Sequence, residues 1–219
     1  MTATIEEVLA KARGELGSYY PGKSKYGVWY GDRVNSGVYD SAPYCAMGLS
    51  WVFAQVGGLD IFPLHAYTPA GANWFKARGR WTTGIRGIHK GAIVFFDWPG
   101  APNRISHVGI VESVNGDGSV NTIEFNTSGT AAGNQRNGRA VVRKRRKAYI
   151  VGFGSPAYSN ATHTGNTGGV KYNPNGRSKV WIKAVQTKLK ALGYNLGPSG
   201  VDGDLGKYTY DATRAFQKA

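Results

Sequence analysis

Two β-rich segments joined by a short turn constrain the fold of this chain more than any other feature. Residues 105–114 and 119–126 are rich in β-branched and aromatic residues, and the sequence Asn115-Gly-Asp-Gly118 stands between them. Asn-Gly and Asp-Gly between two β-rich runs are the strongest short-range signal of a β-hairpin. The sequence therefore predicts an antiparallel sheet built around this hairpin.

Further strands are predicted on both sides of the hairpin. A short apolar run at residues 91–98, bounded by glycine and proline, is typical of a buried strand. Two more strands are predicted around residues 142 and 150. A short helix is predicted before them, around residues 70–77.

Helices are predicted near the N-terminus of the chain. Thr4, with a glutamate three residues later, indicates a capping box. The mostly apolar stretch 46–56 indicates a buried helix with Asp40 or Ser41 as its N-cap. Residues 17–40, rich in glycine, tyrosine and serine, are expected to form a loop. Helices followed by about five or six antiparallel strands define an α+β fold.

The hairpin brings three polar residues to one face. If its loop has four residues or two, His107, Glu124 and Asn126 share a face, because side chains in a strand alternate with a period of two. In two of the three registers considered His107 lies opposite Asn126, and in the third it lies opposite Glu124. A three-residue loop would break this parity.

Cys45 is the single cysteine of the chain, and it lies in the first turn of the predicted buried helix. The helix dipole lowers the pKa of a thiol at that position, and the thiolate is the nucleophilic form. His107 with a carboxylate or amide neighbour would supply a base whose tautomer is fixed. The alternatives are a buried apolar cysteine and a surface ion pair on the sheet. His65, His89 and His163 are less well placed, although His89 stays open.

The charge of +14 indicates an anionic partner, which could be nucleic acid, an anionic membrane or a cell wall. The densest basic run, residues 143–147, is predicted to be a charged edge strand rather than a nucleic-acid patch. One cysteine excludes an internal disulfide. The sequence shows no export signal and no stretch long enough to span a bilayer.

The C-terminal part has its own organisation. Residues 156–177 are polar and glycine-rich, which predicts a flexible linker. Residues 178–219 predict two amphipathic helices joined by a glycine-rich turn. We expect one apolar stripe on the first helix, formed by Val180, Trp181, Ala184, Val185, Leu189 and Leu192. This segment is small and is expected to be a binding module.

Four motifs in this order resemble a CHAP domain, a papain-like cysteine- and histidine-dependent amidohydrolase/peptidase. They are Tyr44-Cys-Ala46, Gly91-Ala-Ile-Val-Phe-Phe96, Ser106-His-Val-Gly-Ile-Val111 and Ile123-Glu-Phe-Asn126. The resemblance implies a catalytic domain over residues 1–155.

Roles for individual residues follow from this resemblance. Cys45 would be the nucleophile, His107 the general base and acid, Glu124 its orienting carboxylate and Asn126 a supporting polar group. The backbone amide of Cys45 could hold the oxyanion. Two aromatic residues, Tyr44 and Trp98, are expected to contact substrate.

The C-terminal segment resembles the helical peptidoglycan-binding domain of cell-wall hydrolases. The residues that carry the resemblance are 184–194, Val201-Asp-Gly-Asp-Leu-Gly206 and 209–217. The resemblance implies that Tyr194, Asp202 and Phe216 contact the wall. Because members of that family often continue beyond the second helix, the domain over 178–219 is either minimal or truncated.

The combination resembles a bacteriophage endolysin. It implies a peptidoglycan hydrolase, either an N-acetylmuramoyl-L-alanine amidase or a peptide endopeptidase, held in the host cytoplasm until release and then acting on the wall. We expect a monomer that binds peptidoglycan and anionic wall polymers, without nucleic acid, membrane insertion or a cofactor. The loop 35–40 has one carboxylate, too few to support a calcium site. The alternatives are a bacterial NlpC-type wall-remodelling endopeptidase and a non-catalytic binding protein.

Overall fold

The computed structural model describes residues 3–100, 105–130, 132–159, 179–203 and 207–216. The chain divides into two compact units, Met1–Ala161 and Thr162–Ala219. Most of the predicted linker lies outside the described residues. Within the described ranges, every helix is too short or too polar to cross a membrane.

The described part of the first unit combines helices with a six-stranded sheet. Its elements are α1 (Ile5–Arg13), α2 (Lys25–Val34), a 3-10 helix (Gly37–Tyr39), α3 (Cys45–Gln55), α4 (Thr68–Lys76), β1 (Trp81–Thr83), β2 (Ile93–Phe96), β3 (His107–Val114), β4 (Val120–Thr127), β5 (Ala140–Arg146) and β6 (Ile150–Gly154). The strand order is β1-β6-β2-β3-β4-β5, and every neighbouring pair is antiparallel. The predicted α+β fold is confirmed. The basic segment forms β5, at one edge of the sheet, as predicted.

The core lies mainly between the helices and one face of the sheet. Helix α3 packs on β3 and β4, and Phe125 is fully buried there. A Cβ atom at Gly48 of α3 would lie 2.4 Å from the Phe125 ring, so only glycine allows this approach. Burial of a phenylalanine side chain contributes about 2–3 kcal/mol to the free energy of unfolding. Burial in this layer fixes α3, and with it Cys45, against the strand that carries Glu124.

The hairpin reaches the predicted parity by a different route. Asn115 N–H donates to the Ser119 carbonyl, which leaves a three-residue loop with Gly118 at φ 78°. That loop alone would break the parity, but a bulge at Glu112 shifts the register again. Gly109 consequently pairs with Glu124. The predicted loop lengths were wrong, and the Gly109–Glu124 pair is the one expected in two of the three registers considered.

The bulged residue is held by two cations from different elements. Glu112 accepts hydrogen bonds from Arg13 Nε of α1 at 2.6 Å and from Arg143 Nε of β5 at 2.6 Å. A carboxylate held by two guanidinium groups is a strong interaction. These contacts tie the bulge to a helix on one side and the edge strand on the other.

Residues 17–40 are not the loop that was expected. Ser24 caps α2 by accepting from Gly27 N–H at 2.9 Å, and Tyr26 and Tyr30 are buried one turn apart. The glycines of α2 serve close packing, since a Cβ atom at Gly27 would lie 2.3 Å from the Tyr39 carbonyl oxygen. The high glycine content therefore reflects contact between segments.

Two helix starts test the capping predictions. The capping box at Thr4 is confirmed, because Thr4 and Glu7 exchange both hydrogen bonds. The prediction of Asp40 or Ser41 as N-cap of α3 is wrong. The helix begins at Cys45, and Tyr44 occupies the N-cap position without a side-chain cap bond.

The second unit contains α5 (Lys179–Ala191) and α6 (Lys207–Phe216). Its small apolar cluster is formed by Leu189, Leu196 and Ala212. Leu192 is 60% exposed, so the predicted apolar stripe on α5 is wrong at that position. The buried amide of Gln186 joins three parts of the unit, namely Asp202, Gly203 and Thr209.

Candidate active site

Cys45 opens onto a groove in the first unit. It is the first residue of α3, where backbone amides lack intrahelical acceptors and the dipole is positive. Its side chain is buried, with 5% exposed, and lines a groove of about 790 Å³. The other walls are formed by Tyr30, Tyr39, Ala42, Pro43, Met47, residues 64–68, Ala70, Ile105, Ser106, Asn134, Arg136 and Asn137.

His107 lies between the thiol and a carboxylate. It is the first residue of β3 and is fully buried. Its Nε2 lies 3.0 Å from Glu124 Oε2. Its Nδ1 has no hydrogen-bond partner among the described residues, and the Cys45 side chain interacts with the ring. The three predicted groups Cys45, His107 and Glu124 therefore form one continuous line.

The absence of a side chain at Gly109 allows Glu124 to reach His107. Gly109 is the cross-strand partner of Glu124, and a Cβ atom there would lie 2.8 Å from Glu124 Cγ. His107 lies two residues before Gly109 on the same face of β3. Because Gly109 has no side chain, the Glu124 carboxylate can reach across it to the His107 ring.

Glu124 has two further partners that sequence reasoning missed. Arg146 donates to both of its oxygens, from Nε at 2.8 Å and from Nη2 at 2.7 Å. The Thr122 hydroxyl donates to Oε1 at 2.7 Å. Arg146 belongs to the basic run assigned to an edge strand, and in the observed register it shares a face of β5 with Val142, the partner of Glu124.

The charges of this line stabilise one another. Burial disfavours the imidazolium of His107, but the Cys45 side chain and Glu124 outweigh it and raise the pKa of His107 above its ordinary value. Burial also opposes ionisation of Glu124, but hydrogen bonds from Arg146 and His107 hold the pKa of that carboxyl well below its usual range. The arrangement favours a protonated imidazole beside an ionised carboxylate.

Trp98 covers this charged line. Its ring stacks on Phe96 with centroids 5.1 Å apart, and its centroid lies 6.0 Å from that of His107. The Arg146 guanidinium lies 4.7 Å from the Trp98 ring centroid. Trp98 also lines the second groove, so its expected role in substrate contact stays a prediction.

Tyr44 and Asn126 are placed differently from expectation. Tyr44 is 1% exposed and packs in the core against Tyr26, so it does not present its ring to the groove. Asn126 has φ 58°, and its Nδ2 donates to the Arg136 carbonyl at 2.9 Å. Within the described part of the chain, no hydrogen bond joins Asn126 to His107.

The predicted wall contacts of the second unit fall in three different settings. Asp202 accepts from Gln186 Nε2 at 2.7 Å, so its carboxylate has a structural partner. Tyr194 is half-buried against the apolar cluster. Phe216 ends α6, and its side chain lies outside the described residues.

His65, His89 and Asp40 each have partners elsewhere in the fold. His65 is buried, and its backbone N–H donates to Ser50 Oγ. Burial lowers the pKa of its imidazole to about 4. His89 is exposed and bonded to Ser155. Asp40 in the loop before α3 is paired with Lys23 at 2.9 Å. Over the described ranges, no group of three His, Cys, Asp or Glu side chains could hold a metal ion.

Two family models match this chain. Residues 37–126 match the CHAP domain, and residues 181–219 match a peptidoglycan binding domain. Among curated proteins, no sequence matches the chain.

Several solved structures have limited similarity to this chain. One is Ly7917 with the hydrolysing product of MDP. Ly7917 is 20% identical over 70% of this chain and 63% of its own chain, with a TM-score of 0.43. The wild-type endolysin LysIME-EF1 is 16% identical over 73% of this chain and 67% of that one, with a TM-score of 0.42. An N-acetylmuramoyl-L-alanine amidase from Staphylococcus aureus is 24% identical over 38% of this chain and 23% of that one, with a TM-score of 0.26. This chain thus spans less than two thirds of the length of Ly7917. The family matches confirm the resemblance inferred from the motifs: the chain carries a CHAP domain followed by a peptidoglycan-binding domain.

Proposed function

We propose that the protein is a peptidoglycan hydrolase that cleaves an amide bond with Cys45 as its nucleophile. The observation that carries the proposal is the buried line of Cys45, His107 and Glu124, whose Cys45 end lines a groove. A structural ion pair would not require a thiol at a helix N-terminus on the same line. The CHAP and peptidoglycan-binding domains supply the substrate class.

The proposed reaction has two steps. The Cys45 thiolate attacks the carbonyl carbon of the scissile amide, and protonated His107 delivers its proton to the leaving amine as the C–N bond breaks. The acyl group remains on sulfur as a thioester. Neutral His107 then takes a proton from water, hydroxide attacks the thioester, and the C–S bond breaks, which releases the carboxylic acid and restores the thiolate beside protonated His107. Glu124 accepts from Nε2 throughout and stabilises each imidazolium.

The oxyanion of each tetrahedral intermediate needs hydrogen-bond donors near Sγ. The Cys45 backbone N–H is suited to this role because it lies at the free N-terminus of α3. Tyr44 is buried in the core and is not suited to be a second donor. Tyr39 lines the groove and is a candidate for that role.

We further propose that this enzyme works as a phage endolysin, held in the host cytoplasm and then acting on the wall as a monomer. Its support is the pairing of a catalytic with a wall-binding domain and the charge of +14, which attracts anionic wall polymers. No role for nucleic acid, membrane insertion or a cofactor is proposed. Cleavage could be of the amidase or the endopeptidase type, and mass spectrometry of the released fragments would separate them by their new amino termini.

Purified cell walls provide the decisive test. We expect the wild-type protein to clear a wall suspension, and Cys45→Ala to reduce clearing to background while its melting temperature stays within a few degrees. The expected result follows because alanine retains the helix start and removes the nucleophile. Clearing by Cys45→Ala at the wild-type rate would contradict the mechanism.

A further inference from the structure

The second groove of the first unit is strongly basic. It has a volume of about 670 Å³, and none of the described residues that line it is acidic. It is lined by Trp98, Pro99, Asn134, Gln135, Arg136, Arg145, Arg146, Lys147, Ala148 and Tyr149. Four of these ten residues are cationic, which favours an anionic ligand.

Two of the four charges are already compensated. Arg145 is paired with Asp117 at 3.0 Å, and Arg146 is paired with Glu124. Lys147 Nζ donates to the Asp117 carbonyl, and among the described residues it has no carboxylate partner. Within the ranges that the structure describes, the Arg136 guanidinium has neither a hydrogen bond nor an ion pair. The groove therefore retains positive charge at Arg136 and Lys147.

Arg136 connects this groove to the predicted catalytic groove. Arg136 and Asn134 line both, and the first groove contains Cys45. A ligand group held by Arg136 can therefore belong to the same molecule as an amide that reaches Cys45. This position suits substrate recognition better than an isolated surface patch would.

The backbone around Arg136 is held in place before any ligand binds. Asn126 Nδ2 donates to its carbonyl at 2.9 Å, and its own N–H donates to Asn134 Oδ1 at 2.9 Å. Gly138 N–H donates to the Asn126 carbonyl at 3.0 Å. Such bonds reduce the ordering cost of binding. The polar residue expected beside His107 thus fixes the loop that carries Arg136.

An aromatic wall completes the groove. Tyr149 packs edge-on against Trp98 with centroids 5.7 Å apart, and it is 55% exposed. Its backbone has φ 62°, which is uncommon and unfavourable for a bulky residue. The strained backbone at Tyr149 holds an exposed ring at the basic groove, which is typical of a ligand-binding site.

We infer that the basic groove is a substrate subsite for an anionic group, a carboxylate or a phosphate, held by Arg136 and Lys147. Tyr149 and Trp98 pack against the part of the substrate that carries this group. A guanidinium suits either group because its planar fork donates two parallel hydrogen bonds. The inference rests on the proposed function for the identity of the substrate. The positive charge of the groove does not depend on that proposal.

The test compares Arg136→Gln with Arg86→Gln, a matched control at an exposed position that lines neither groove. Substrates are a soluble wall peptide with a free carboxylate, the same peptide as its carboxamide, and walls before and after extraction of phosphate polymers. We expect Arg136→Gln to raise KM about tenfold for the substrate that carries the recognised anion, with kcat within twofold. Arg136→Lys should recover part of the affinity.

The pattern of losses identifies the anion. A loss confined to the free carboxylate supports a peptide carboxylate, and a loss confined to phosphate-bearing walls supports a wall phosphate. Equal losses on charged and neutral substrates would overturn the inference, because they indicate a structural effect on the loop. An Arg136→Gln variant that matches Arg86→Gln on every substrate would overturn it as well.

A binding measurement separates this inference from the proposed function. The full-length Cys45→Ala protein is titrated with inorganic phosphate and with the two peptides, and the Trp98 indole resonance is followed by NMR. A shift that depends on the anion and on Arg136 supports the subsite even if the wild-type protein hydrolyses nothing. A Trp98 signal that no probe changes would overturn it even if hydrolysis is efficient.

Discussion

His107 combines burial, two charged neighbours and a position beside a groove. Its raised pKa follows from the Cys45 side chain and Glu124, which together outweigh burial. A proton bound to His107 is needed for departure of the amine in the proposed reaction. The activity should therefore be present below the pKa of His107 in the folded protein and fall as pH rises through it.

Glu124→Gln tests this dependence. Removal of the negative charge lowers the pKa of His107, so we expect the alkaline limb of kcat/KM to move to lower pH. We also expect a loss of rate on the order of 100-fold at neutral pH. Glu112→Gln is the matched control, since Glu112 lies in the bulge of β3 and contacts Arg13 and Arg143 instead. An unchanged alkaline limb in Glu124→Gln would argue against the assigned role.

Arg146 is the counterion of a fully buried carboxylate, and its own side chain is 13% exposed. Arg146→Met would leave Glu124 with less compensation for burial, which costs about 3 kcal/mol of folding free energy. Urea unfolding at pH 7 measures this loss. Arg145→Met is the control, because the Arg145–Asp117 pair is largely exposed and water screens it, so we expect a much smaller loss. Equal losses in the two variants would be incompatible with the buried pair.

Residue positions near the predicted catalytic line were only partly predictable from the sequence. Cys45, His107 and Glu124 follow from a helix start and from the period of two in a strand. Arg146 required the register of β5 on β4, which no turn sequence specifies. The burial of Tyr44 could not be predicted, because it depends on packing against other tyrosines. The sequence next to Cys45 does not show that packing.

At the level of elements, α2 shows how glycine content can mislead a sequence reading. Gly27 and Gly31 lower helix propensity by about 1 kcal/mol each, which favoured a loop. In the fold they allow the helix to touch the segment 36–40, where a Cβ atom would lie 2.3 Å and 2.6 Å from backbone oxygens. Tertiary packing outweighs local propensity here. The bulge at Glu112 could not be predicted from the hairpin sequence either, because Glu112 is held by contacts with α1 and β5.

Gly27→Ala separates these two effects. Propensity alone predicts a gain of about 1 kcal/mol, whereas the clash with the Tyr39 and Asp40 carbonyl oxygens predicts a loss of about 2 kcal/mol. We expect the loss, measured by urea unfolding. Gly22→Ala is the control, since a Cβ atom there meets nothing within 4 Å. A stabilised Gly27→Ala protein would show that α2 tolerates displacement from the 36–40 segment.

At the level of the whole molecule, positive charge is present in both units. Residues 1–155 carry 18 basic and 10 acidic side chains, and residues 156–219 carry 9 basic and 3 acidic ones. The net charges are +8 and +6, so the shorter segment has the higher charge density. This distribution was readable from the sequence, and it implies that each unit can be attracted to an anionic wall on its own.

Removal of residues 162–219 tests how the units share wall binding. We expect residues 1–161 to retain the circular dichroism of a folded α+β protein and to hydrolyse soluble wall peptides at the full-length rate. Clearing of intact walls should fall about tenfold or more at 0.15 M salt, because one of two attachments is lost. At 0.01 M salt the difference should shrink, since the Debye length grows from about 8 Å to about 30 Å and the remaining +8 charge acts over a longer range. Equal clearing by both proteins at every salt concentration would show that the second unit contributes nothing to wall binding.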